Sequence, residues 1–325
     1  MKNLFKLLLV LILIFLGWSL LNVNQGEASE TIVIEKGENA EEIAFKLKEE
    51  NIISDPYSFL FLAFLENKWS KLQAGEYLLD SSMSSQEILD ILQQGKTVKE
   101  TLTIVEGWDA KDIAEYLESK GMFSEEEVLE KIETFNPSQF EFLADKPKNL
   151  GLEGYIFPDT YFFAKSENLE NIIIETLKNF DQKLTDGLRE KIEKQKKSIF
   201  DIITMASMIE KEVITFEDKQ IVSGILWKRL KAGIPLQVDA TVLYAMEINN
   251  GKVLVKDTKI DSPYNTYKYA GLPLGPICNP GLESIKAAVY PKESAYWYYL
   301  SKPTGETVFS RTLEEHNIAK AKYLK

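Results

Sequence analysis

From Gly271 to Gly281 the chain reads GLPLGPICNPG, in which Gly271, Pro273, Gly275, Pro276, Pro280 and Gly281 leave no room for a regular helix or a central strand. Proline lacks a backbone N–H, and glycine surrenders the most conformational freedom on ordering. Such a loop has to be held in one shape by whatever surrounds it. The polar and aromatic residues before and within it, Ser262, Tyr264, Asn265, Thr266, Tyr267 and Asn279, supply donors, acceptors and flat rings suited to gripping a sugar. A purely structural loop is the competing reading.

At 325 residues the chain is long enough for one or two globular units with a sizeable core. A formal charge of −12 repels a phosphate backbone, so nucleic acid is excluded as a partner. Cys278 is the sole cysteine and His316 the sole histidine, which removes intramolecular disulfides and leaves no metal site of the usual Cys/His kind.

The N-terminus, MKNLFKLLLVLILIFLGWSLL, places Lys2 and Lys6 ahead of an apolar run. A basic flank followed by hydrocarbon predicts insertion with the start in the cytoplasm. Leu4 to Val23 matches the length of a bilayer span if Lys6 snorkels to the interface. We expect a retained single-pass anchor in the plasma membrane. A cleaved signal peptide, with small residues at Gly26 and Ala28, is the alternative. Either way, Glu30 onward is expected to work outside the cytoplasm, and the lack of a cysteine near residue 25 excludes a lipoprotein anchor.

Two segments repeat at an offset of 70 residues: TIVIEKGENAEEIAFKLKEENII from Thr31 and TLTIVEGWDAKDIAEYLESKGMF from Thr101. Each predicts a short strand, a turn at Gly37 or Gly107, and an amphipathic helix. The first copy continues into a helix near Pro56 to Glu66 and a strand near Gly75 to Leu79. Strand, helix, helix, strand is the plan of a LysM-like module, although a simple spacer fits equally well. Pro137 and Pro147 in a polar stretch mark a boundary. The expected organisation is therefore 1–29 anchor, 30–98 LysM-like module, 99–147 a second related unit, and 148–325 an α+β domain. Helix is expected over Leu169 to Lys197, then from Ser198 with Asp201 in a capping box, and over Asp218 to Ala232.

The helix opening at Ser198 carries ASMIEKEV, Ala206 to Val213. Glu210 continues the row Ile199, Ile203, Ala206, so apolar neighbours are expected to hinder its ionisation, as a general acid requires. Glu212 continues Asp201, Met205 and Met208, while Lys211 points away from the buried stripe. A solvated or paired glutamate at a helix end is the plainer reading of Glu210.

Taken in chain order, GLEGYIFPDTY (Gly151 to Tyr161), ASMIEKEV, LQVDATVLY (Leu236 to Tyr244) and the SPYNTY to CNPG block resemble the endolytic murein transglycosylases, the MltG or YceG-like family. The closing AYWYYLSKPTGETVFSRTLEEHN fits as well. Ala240, where proline is frequent in the family, and Cys278, where a small residue is, depart from the pattern. The resemblance implies a membrane-anchored lytic enzyme of peptidoglycan that uses no cofactor. It identifies Glu210 as the catalytic residue, protonating the glycosidic oxygen after a muramic acid residue and then taking the proton of that sugar's 6-hydroxyl. The product is a 1,6-anhydromuramic end. An intramolecular hydroxyl has a large proximity advantage, so the usual second carboxylate can be dispensed with.

Supporting positions follow from the other motifs. Glu153 is expected to orient or pair with the acid, and Tyr155, Phe157 and Tyr161 to form sugar-stacking walls. Glu212, Gln237, Asp239 and Thr241 are further candidates, with Asp239 as well suited to capping a helix. Tyr264, Asn265, Thr266 and Asn279 are the expected substrate contacts. The resemblance also implies the wall-synthesis machinery as a partner. A non-catalytic peptidoglycan-binding scaffold, with Glu210 structural, is the alternative. A pyridoxal-phosphate lyase is disfavoured, since Lys211 lies on the polar helix face and no phosphate-cradling loop follows a strand.

Overall fold

The computed structural model describes residues 29–165, 167–248 and 251–324. The expected anchor lies outside them, and no described helix is long and apolar enough to cross a membrane. The chain divides into two compact units, one of residues up to Leu102 with Phe162–Glu167, the other of Thr103–Tyr161 with Asn168–Lys325. Residues 103–147, expected as part of a linking unit, thus fall in the same unit as the Glu210 helix.

The first unit begins with β1 (Ser29–Ile34), α1 (Ala40–Glu49), α2 (Pro56–Leu65), β2 (Gly75–Asp80) and α3 (Ser85–Gln94). Strand β1 pairs antiparallel with β2, Ile32 opposite Tyr77 and Ile34 opposite Gly75. Alternation along β1 sends Ile32 and Ile34 into a core with Ile43, Leu47, Phe59, Leu79 and Leu89. The turn before α1 uses Gly37 at φ +102°, where an L side chain would be strained. Asn39 and Glu42 then form the reciprocal cap that starts the helix. Strands β3 (Lys99–Thr103) and β4 (Thr160–Ala164) pair in a second two-stranded sheet.

In the second unit, α4 (Ala110–Ser119) is capped by Asp109 and packs on α5 (Glu125–Thr134). The segment from 169 to 197 is two helices rather than one, α6 (Leu169–Lys183) and α7 (Asp186–Lys194). Leu184 turns inward at 2% exposure, and its carbonyl accepts from Arg189 Nε, so the break is stabilised by both burial and a side-chain donor.

Helix α8 (Ile199–Glu212) starts with the Ser198/Asp201 capping box. Every residue from Ile202 to Ile209 is buried, which makes α8 an interior helix with little freedom to shift. It packs against α9 (Phe216–Lys231), α10 (Asp239–Ala245) and α11 (Leu282–Val289). A hairpin of β5 (Tyr298–Ser301) and β6 (Thr307–Ser310) and the terminal α12 (Leu313–Tyr323) complete the unit. The α+β class is as expected.

Candidate active site

The last turn of α8 delivers Glu210 to a junction of three segments. Its Oε1 lies 2.9 Å from Lys219 Nζ on α9, and its Oε2 accepts the Gly281 N–H at 2.9 Å. Both side chains of the ion pair are nearly sealed from water, Lys219 at 4% and Glu210 at 9% exposure. The apolar setting expected from the row Ile199, Ile203, Ala206 is therefore corrected. That row describes α8 alone, and the neighbours that decide the site, an ammonium and an amide, arrive from α9 and from the loop ending at Gly281.

The third segment is the turn of the second repeat. Gly107, at φ +84°, approaches so closely that a Cβ there would stand 3.6 Å from Glu210 Cγ. Its N–H donates to the Asn279 carbonyl at 2.9 Å. The preceding residue, Glu106, lays its carboxyl over Gly281: a Cβ at that glycine would fall 2.0 Å from Glu106 Oε1. Burial, and then the negative charge of Glu210, push the Glu106 carboxyl above the usual range, against the pull of Lys219.

Glu153 does not touch Glu210. Its Oε2 accepts the Ala110 N–H at the start of α4 (2.9 Å) and faces the Tyr244 hydroxyl at 3.4 Å, while Oε1 accepts from Asn279 Nδ2 at 3.2 Å. Burial raises it to about 8, with the charge of Asp109 adding to the effect. Asn279, 1% exposed, is the hub of the assembly. It accepts the Ile156 N–H through Oδ1 at 2.9 Å and donates to the Trp108 carbonyl through Nδ2 at 3.0 Å. All its capacity is spent joining the LEGY loop, the EGW turn and the CNPG loop, so it serves the frame rather than a sugar.

Glu212 enters a separate polar cluster. The Tyr299 hydroxyl and the Ala240 N–H donate to its carboxyl, yet burial, followed by the charge of Asp239, raises it to about 7. Asp239 is the first residue of α10 and does not cap it; its Oδ1 accepts from the Tyr267 hydroxyl instead. Gln237, at φ +57°, accepts from Arg229 Nη2 at 2.6 Å.

Several expected substrate contacts are interior. Tyr155 and Phe157 are buried, and the Tyr155 ring packs on Phe142 and Phe180. Tyr161 is buried too, its hydroxyl bonded to the Phe157 carbonyl. None of these rings walls a sugar in this structure: Phe142 and Phe180 cover Tyr155, Phe180 meets Phe157, and Tyr161 is buried with its hydroxyl bonded to Phe157 and Asn179. Thr241, Asn265 and Thr266 are likewise buried. Thr241 Oγ1 and Thr266 Oγ1 lie 2.9 Å apart, and Asn265 Nδ2 donates to the carbonyls of Thr258 and Ile260. Thr241 and Thr266 staple the SPYNTY loop to the start of α10, and Asn265 ties that loop to the residues just before it.

A pocket of about 210 Å³ is bordered by Asp109, Lys211, Leu243, Tyr244 and Ile277. The ring of Tyr264 lies 4.9 Å from that of Tyr244. The exposed Lys211, which is the residue after Glu210, thus faces a cavity while Glu210 faces Gly281. Among the described residues no three acidic, histidine or cysteine side chains converge as a metal would require. Sequence reasoning missed Glu106 and Lys219. The available signal for Glu106 was the point at which the second repeat departs from the first, glutamate standing where the first copy has Lys36.

The family model of the YceG-like family matches residues 32–322. An endolytic murein transglycosylase of Bacillus subtilis is 36% identical over 322 residues, covering 95% of this chain and 89% of that protein. One of Streptococcus pneumoniae (strain D39) is 33% identical over 315 residues, covering 88% of this chain and 57% of that protein. The crystal structure of a yceG-like protein from Listeria monocytogenes superposes with a TM-score of 0.62 at 34% identity, covering 91% of this chain and all of that one. The match along nearly the whole chain, in sequence and in fold, means that this protein belongs to the YceG-like family.

Proposed function

We propose that the protein is an endolytic murein transglycosylase, which cleaves the MurNAc–GlcNAc bond inside peptidoglycan glycan strands and leaves 1,6-anhydroMurNAc ends. The observation that carries this reading is the placement of Glu210, the first glutamate of the ASMIEKEV motif, at the end of a rigid buried helix in a chain of the YceG-like family. Glu210 is the acid and then the base of the reaction. It protonates the leaving oxygen and recovers a proton from the 6-hydroxyl of the same muramic residue, so no water is consumed. Glu153 and Asn279 keep the LEGY loop, the EGW turn and the CNPG loop in register, and Glu212 and Asp239 anchor the start of α10. Tyr244 and Tyr264 are the rings placed to meet a sugar.

The membrane is the setting. The first residues anchor the chain, the remainder acts outside the cytoplasm on newly made strands, and enzymes of wall synthesis are its partners. The β-α-α-β order of residues 29–80, with its antiparallel β1 and β2, supports the LysM-like reading of that module. Incubation with uncrosslinked glycan strands tests the activity. Anhydromuramic ends are expected; reducing ends would indicate a hydrolase, and intact strands with binding retained would indicate a scaffold.

A further inference from the structure

Helix α2 reads PYSFLFLAFL and carries no charged residue on any side. Its Phe59, Leu60 and Ala63 fill the core of the first unit. Tyr57, Phe61, Phe64 and Leu65 stand at the i, i+4, i+7 and i+8 spacing of a second apolar stripe, and this one lies in the open, with Tyr57 at 68% and Phe64 at 70% exposure. A helix that is apolar all round is ordinarily buried all round. Phe45 of α1 extends the patch, its ring edge-on to that of Tyr57 at 5.8 Å, and Trp69 is exposed four residues beyond the helix. A contiguous apolar surface of this kind marks a docking face.

Position and chemistry together identify the cover. The apolar run Leu4 to Val23 ends five residues before β1, and even a fully extended chain bridges that gap with only about 20 Å. The medium that takes up the run is therefore within reach of the first unit. Tyr57 and Trp69 each join a large ring to one polar atom, the combination that favours the level of lipid headgroups. A sugar would need hydrogen-bonding groups among the rings, and the Ser58 hydroxyl of α2 is already given to Asp55.

We propose that α2 docks this stripe into the extracytoplasmic face of the bilayer, so that the first unit lies on the membrane instead of swinging from a tether. The inference rests on the reading of the first residues as a membrane anchor. Burial of hydrocarbon and aromatic surface drives the docking. Charge does not: residues 29–102 hold fourteen acidic and seven basic side chains, and Lys68, just beyond α2, is tied to Glu66 and Asp90. Docking therefore needs no anionic lipid and survives high salt.

The test is a depth measurement on the full-length protein in phosphatidylcholine vesicles. A nitroxide is attached in Phe64→Cys and, separately, in Tyr57→Cys, both exposed positions at which substitution costs little. Cys278 is fully buried and does not compete for the label. Leu78→Cys is the reference, because that side chain leaves β2 on the face away from the core. Power-saturation EPR with oxygen and a nickel chelate should place the labels at 57 and 64 about 5–10 Å into the boundary of headgroups and acyl chains, unchanged by salt, and the label at 78 in water. Adding Phe61→Glu and Leu65→Glu should return the label at 64 to water while the protein still floats with the vesicles. Labels at 57 and 64 in water on protein that floats would overturn the docking and leave the anchor standing. Labels shielded from both reagents, with dipolar broadening, would give the face to a second copy and overturn it too. Protein that does not float would overturn the anchor reading, and the docking with it.

Discussion

Lys219 and Glu210 form an ion pair at 2.9 Å in which neither side chain is more than 9% exposed. Removing two charges from water costs several kcal/mol each, and only close geometry with additional hydrogen bonds offsets it. The pair meets that condition through the Gly281 N–H. Replacing Lys219 by Met leaves Glu210 enclosed without its counter-ion. Urea denaturation of Lys219→Met is expected to show a loss of about 3–5 kcal/mol. A loss below about 1 kcal/mol would mean that the pair is open to solvent.

Asn279→Ala removes a buried side chain that serves Ile156, Trp108 and Glu153 at once. Buried groups left without partners cost about 1–3 kcal/mol each. A total loss on the order of 3 kcal/mol is expected, accompanied by a fall in activity as the EGW turn and the CNPG loop lose register. Undiminished stability would show that the hub is dispensable.

Glu153 gives a pH dependence with a definite sign. Its folded value of about 8 lies above the ordinary 4.5, so between these values the folded protein keeps a proton that the unfolded chain releases. Stability therefore falls as pH rises through this window. Glu153→Gln, which cannot ionise and still offers an acceptor, removes that part of the slope. Thermal melts of both proteins from pH 4 to pH 9 check this, and parallel curves would contradict it.

Tyr155 separates a core role from a binding role. Its hydroxyl is buried without a hydrogen-bond partner among the described residues, while its ring fills space between Phe142 and Phe180. Tyr155→Phe is expected to be neutral or slightly stabilising, and Tyr155→Ala to cost about 3–5 kcal/mol. Neither the melting temperature nor KM for glycan strands should worsen in Tyr155→Phe. A raised KM would return this ring to the binding surface.

The contrast between Tyr155 and Glu210 shows how far the amino-acid order could be read. The capping box at Ser198 and Asp201 locates the start of α8, so the position of Glu210 near its end was legible. The 70-residue repeat likewise forecasts β1 with α1, and β3 with α4, because strand, turn glycine and helix are all local signals. Burial of Tyr155 was not legible, since Phe142 and Phe180 reach it from other segments. The same holds for Lys219, which meets Glu210 only because α9 packs back on α8. Glu106 was not legible either, because the CNPG loop that brings Gly281 against its carboxyl comes from a distant part of the sequence.

The most direct measurement is mass spectrometry of uncrosslinked glycan strands digested in ¹⁸O-water by the full-length protein and by Glu210→Gln. Wild type should give new ends that are lighter than reducing ends by one water and carry no ¹⁸O, and Glu210→Gln should give none. Reducing ends bearing ¹⁸O, or the same products from the variant, would contradict it.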